Sequence, residues 1–64
     1  MTYQEISKEI MYFRAKYPEY DDWFMDDPNQ LRAVANDLRE AGWNCDADCI
    51  DFLADEWQDI LDKV

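Results

Sequence analysis

"DPNQLRAVANDLREAG", Asp27 to Gly42, reads as one complete helix with its own start and stop. Asp27 is a capping residue type, Pro28 suits the first helical position, and Gln30 completes a capping box. Leu31, Val34, Ala35, Leu38 and Ala41 then recur at helical spacing along one face. Gly42 stands where a left-handed C-terminal cap would stop the helix. An apolar stripe of this kind needs cover, and both flanks of the sequence supply it.

Downstream, the short connection "WNCD" (Trp43–Asp46) leads to a last helix. Asn44 or Asp46 is its candidate cap. Ile50, Leu53, Trp57, Ile60, Leu61 and Val64 make its apolar face. Upstream, Thr2 and Glu5 form a capping box. Tyr3, Ile6, Ile10, Phe13 and Tyr17 then fall on one side of a first helix. That helix should end near Tyr17, because the residue before Pro18 is driven out of the α region. Pro18 can itself open a short helix, "PEYDDWF" (Pro18–Phe24). No alternating strand pattern competes. The expectation is a single acidic domain over residues 1–64. It is all-α, a small antiparallel three-helix bundle with an additional short helix or turn after Pro18.

Sixty-four residues bury only about 60% of the unfolded surface, so the core must be efficient. Ten aromatic residues, three of them Trp, are large burial units. Sixteen acids against six bases, with no His, give a formal charge of −10. Such a field repels nucleic acid and anionic membrane and draws in cationic partners. Direct nucleic-acid binding is therefore excluded as an expectation. Charge of this kind also serves solubility, and it is common on halophilic surfaces. No signal-peptide pattern or membrane-length apolar run occurs, so the expected location is cytoplasmic, with reduced thiols.

The acids of the last helix are not scattered. At about 100° per residue, Asp48, Asp51, Asp55, Asp59 and Asp62 fall within about 80° of one another, opposite the apolar face. Glu56 sits beside this rail, and Phe52 falls near it as a candidate exposed aromatic. Nothing within the helix pairs the acids, since its sole base is Lys63. Asp51–Asp55 and Asp55–Asp59 are like-charge pairs four apart, each costing about 0.2–0.5 kcal/mol. Asp59 and Asp62 also lie near the negative end of the helix dipole. A local rule broken without local gain points to a functional surface.

Five carboxylates over about 21 Å give one charge per ~4 Å. One strand of B-DNA carries a phosphate every ~3.4 Å. The rail therefore approximates a phosphate strand, and a basic, nucleic-acid-binding protein is the expected partner. Asp21, Asp22, Asp26 and Asp27 are candidates to extend the surface, and Trp23 and Phe24 are candidate apolar anchors. Tyr12 and Tyr20 are further candidates for exposed aromatics. In size, charge and carboxylate display the chain resembles the small acidic proteins that phages use as DNA mimics against restriction or CRISPR systems. The likeness implies stoichiometric blockade of a nucleic-acid site and involves no sequence motif.

Other chemistry is weaker. "CDADC" (Cys45–Cys49) places two thiols one helical turn apart, but a structural zinc site wants four ligands. The bland reading is one buried thiol and one incidental one. A disulfide across that turn would be strained. "DADCID" lacks the glycine and the final glutamate of a calcium loop. No His can act as a base, and no carboxyl is visibly placed in an apolar pocket, so no catalytic, metal or cofactor site is expected. The competing expectation is a helical interaction module or homodimer whose charge serves only solubility.

Overall fold

Thr2 sets the start of the first helix. In the computed structural model its hydroxyl accepts from the Glu5 N–H at 3.2 Å, while Glu5 Oε1 accepts from the Thr2 N–H at 3.0 Å. Both halves of the capping box are thus made, and α1 runs Tyr3–Lys16. Tyr17 closes it, donating its N–H to the Phe13 carbonyl at 2.8 Å. Pro18 then opens a helix of seven residues, Pro18–Phe24, wound as 3-10 rather than α. The structure describes residues 1–24 and 27–63, with the side chains of Asp22, Trp23 and Phe24 excepted.

α2 spans Pro28–Glu40. The Asp27 carboxylate accepts from the Asn29 N–H at 2.9 Å, and the Gln30 N–H goes to the Asp27 carbonyl at 3.0 Å. This is the short-range turn that an Asp side chain makes two residues on, in place of the box expected with Gln30. At the other end Gly42 takes φ +95°, a conformation that suits glycine. The Gly42 N–H bonds the Arg39 carbonyl at 3.1 Å, and the Trp43 N–H bonds that of Leu38 at 2.8 Å. Those two bonds are a Schellman motif, which satisfies the last carbonyls of α2.

The same motif delivers the chain straight into α3, Asn44–Asp62. The residue at its cap position is Trp43, with no side-chain cap bond, so neither Asn44 nor Asp46 plays the expected role. The Schellman turn leaves no spare residue between the two helices, so Asn44 is already helical.

Cross-helix pairs give the topology. Lys16 meets Asp46 at 2.8 Å, and the rings of Tyr3 and Trp57 meet edge to face at 6.2 Å. α1 and α3 are therefore antiparallel. Arg39 reaches Asp51 at 2.7 Å and Arg32 reaches Asp55 at 3.4 Å, so α2 and α3 are antiparallel too. The molecule measures 34 × 18 × 17 Å. Its core joins Ile6, Ile10, Phe13 and Tyr17 of the α1 segment to Leu31, Val34, Ala35 and Leu38 of α2. From α3 it takes Ala47, Ile50, Leu53, Ala54 and Trp57, with Tyr20 and Ile60 packed alongside.

Three residues counted on apolar faces lie outside this core. Tyr3 is exposed and reaches Trp57 by a ring edge alone; Leu61 and Ala41 are also exposed. All three sit at helix ends, Ala41 as the C-cap residue of α2. Val64 lies outside the described residues. Among the described residues the fold is all-α, and no helix is long and apolar enough to cross a membrane.

Candidate partner-binding surface

α3 projects its acids away from the core. Asp48 and Asp55 are each 76% exposed, and Asp59 and Asp62 are exposed as well. Asp51 turns toward α2 and is 39% exposed. The five therefore share one long face of one rigid helix.

The rail is not without cations. Arg39 of α2 lies between two of its members, 3.0 Å from Asp48 and 2.7 Å from Asp51. Arg32 reaches Asp55 at 3.4 Å and also donates to Asn29 at 3.0 Å. The expectation of unpaired acids held within α3 and fails across helices. Arg32 and Arg39 are seven residues, two turns, apart and so share an edge of α2. Pairs this exposed contribute little to stability, since water and salt screen them. Beyond them the rail is barer. Asp62 accepts from Gln58 at 3.0 Å, and Asp59 has no ion pair among the described residues. Negative charge is thus concentrated on the C-terminal half of α3, where the helix dipole adds to it.

The other edge of α3 faces α1. Phe52 stands there, 55% exposed, between the rail and an open groove of about 370 Å³. Met1, Glu9, Asp48, Cys49 and Leu53 complete the lining. Glu56, beside the rail, is half-buried near the Met1 amino group at 3.5 Å. Both thiols are exposed, Cys49 in this groove and Cys45 in a second depression beside Trp43. The expectation of one buried thiol is thereby corrected. Its cause is visible on the wheel, where Cys49 lies at the border of the apolar face and Cys45 well outside it.

Asp46 belongs to a different arrangement. Its carboxylate accepts from Lys16 at 2.8 Å and from the Tyr17 hydroxyl. The Lys16 bond, and after it the Tyr17 bond, hold Asp46 below the usual carboxylate range. Burial, and then the Asp46 bond, push Tyr17 up. This trio fastens the end of α1 to the start of α3.

Of the other candidates, Asp21 is held by Arg14 of α1 at 2.8 Å, which ties it to α1 rather than to the rail. Tyr20 is half-buried, its hydroxyl 3.2 Å from Asp37 of α2, so it is a packing residue more than an anchor. Tyr12 is exposed, with the Lys16 ammonium 5.9 Å from its ring centre. Asp26 and the side chains of Asp22, Trp23 and Phe24 lie outside the described residues. Asp27 is engaged as the α2 cap. Trp43, exposed beside the Schellman turn, was not among the sequence candidates. Its place just outside a helix, off any apolar stripe, is the signal that marks it. Among the described residues no three Cys, Asp or Glu side chains converge as metal ligands.

Compared with known proteins, the chain matches no family model, and no curated protein or solved structure is similar enough to count as a match.

Proposed function

We propose that this chain is a non-enzymatic acidic binding protein that occupies a basic, nucleic-acid-binding surface of a partner protein. α3 stands in for a strand of phosphates. The observation that carries this reading is the exposed rail, barest of cations at Asp59 and Asp62, with Asp55 beside them held by Arg32 at 3.4 Å. A partner built to neutralise phosphates with Lys and Arg meets a similar spacing of charge there. The rail also sits on a regular helix, so it is presented without an ordering cost.

The test is capture of partners from the natural host lysate, at low and moderate salt. Wild type is compared with the Asp55→Asn/Asp59→Asn/Asp62→Asn variant. The wild type should retain a nucleic-acid-binding protein at low salt and release it as salt screens the contacts. The triple variant should not retain it. Arg39→Gln, which bares Asp48 and Asp51, should retain it more strongly. Equal capture by wild type and triple variant at low salt would end the phosphate-strand reading.

A second reading is supported by the exposed aromatics Tyr12, Trp43 and Phe52. In it the molecule is a helical interaction module or homodimer, and its charge serves solubility. Sedimentation at high protein concentration separates the two, since a dimer lost in Phe52→Ala would favour the second.

A further inference from the structure

Two helix edges face each other across the groove beside Phe52. On α1, Glu9 lies on the edge next to the core and lines the groove. On α3, Cys49 and Phe52 occupy the matching edge, and Asp48 and Asp55 flank Phe52 on the rail side. The floor of the groove is apolar: Met1, Cys49, Leu53 and the Phe52 ring. Its polar lining residues are Glu9 and Asp48, one from each bank. Of the neighbouring cations, the Met1 amine lies beside Glu56, Lys16 on Asp46 and Lys8 near Glu5, while Arg39 and Arg32 already pair with Asp48 and Asp55. An apolar slot therefore runs between two acidic banks.

We infer that this groove is a docking site for an apolar side chain carried on a cationic, amphipathic segment of the partner protein. The inference rests on the proposed acidic binding role and names the chemistry of what is bound. Charge complementarity selects the occupant. A segment with Lys or Arg on either side of a Leu- or Phe-like residue would set one cation on Glu9 and let the other share Asp48 with Arg39 or Asp55 with Arg32. The apolar residue between them would then lie against Phe52. A second copy of this chain is disfavoured, because it would bring the same acids, and a charge of −10, against this one. A volume of about 370 Å³ lies at the small end of ligand cavities and suits one or two side chains. A flat surface that met only the carboxylates would leave the apolar slot unfilled. The groove thus makes the partner's recognition element a basic helix with an apolar stripe rather than a flat basic patch.

The probe is a pair of synthetic Lys-rich peptides of equal length and charge, one amphipathic through regularly spaced Leu, the other with every Leu replaced by Gln. Binding to the intact protein is read by fluorescence anisotropy. The Leu peptide should bind about tenfold tighter, the least expected from burying one Leu side chain. Phe52→Ser, a change at an exposed position, should erase that margin while leaving the helical circular dichroism unchanged. The two exposed thiols supply an internal control. The Leu peptide should slow alkylation of Cys49 by iodoacetamide and leave Cys45, one turn away, unprotected.

Equal affinity of the two peptides overturns the inference, as does a margin that survives Phe52→Ser, or protection of both thiols or neither. So does protection of Cys49 by the protein's own concentration without peptide, which would make the groove a self-interface. The Asp55→Asn/Asp59→Asn/Asp62→Asn variant separates the two proposals. If the peptides bind alike and both are lost in that variant, the rail reading stands and the groove falls. If the Leu margin and Cys49 protection persist there undiminished, the groove stands and the rail reading falls.

Discussion

Asp46 shows how one acid among sixteen can be structural. It is half-buried, and it gathers Lys16 and Tyr17 from the end of α1. Its carboxyl is held below the unfolded value of about 3.9. Its contribution to stability is therefore present above that value and lost as pH falls through the depressed folded one. Lys16 and Tyr17 are shifted the other way, Lys16 by its bond to Asp46 and Tyr17 by burial first. Their contributions are present below about pH 10 and lost as pH rises through the raised folded values. The trio is at full strength between those limits. Asp46→Asn should cost about 1.5–3 kcal/mol at pH 7, the range for hydrogen bonds to a charged group. Urea unfolding at pH 7 and near pH 2.5 checks it. The gap between wild type and variant should narrow at the lower pH, and a gap of unchanged size there would mean the carboxylate is not its source.

At the scale of elements, the joint between α2 and α3 is the most determined feature of the fold. Gly42 has φ +95°, and a Cβ built there meets nothing within 4 Å. Gly42→Ala therefore tests backbone conformation without a clash. It should cost about 1–2 kcal/mol, the penalty of a left-handed conformation for an L side chain. The denaturation midpoint should fall with an unchanged slope. A neutral result would mean that the turn relaxes to another geometry. The local grammar of this joint, of the Thr2–Glu5 box and of the Pro18 break was legible in the sequence because each rests on residues within a turn of one another. What was not legible lies between helices. The Arg32 and Arg39 pairings depend on the register of α2 against α3, which no spacing within α3 records. Tyr3 and Leu61 fell outside the core because face-counting treats a helix as covered along its whole length. The groove at Phe52 needed the distance between α1 and α3, so Phe52 could be read as exposed but not as one wall of a slot.

For the whole molecule, charge acts on stability and on binding with opposite signs. A net −10 on a body 34 × 18 × 17 Å places every carboxylate within a few screening lengths of many others. Self-repulsion then opposes the compact state. The specific pairs that resist it are few and exposed, as at Arg39 and Arg32, and salt weakens them by little in absolute terms. Raising ionic strength should therefore stabilise the fold. From low salt to about 0.5 M, where the screening length drops below about 5 Å, a relief of about 1 kcal/mol would raise the melting temperature by about 4–8 °C. Thermal melts followed by circular dichroism across a salt series measure this. The same series should weaken capture of a cationic partner, because there the attraction is what salt screens. Stability rising while affinity falls is the signature of charge kept for recognition at the expense of the fold. A melting temperature that falls with salt would instead make the cross-helix ion pairs dominant, and the rail would then be chiefly a device for holding α2 against α3.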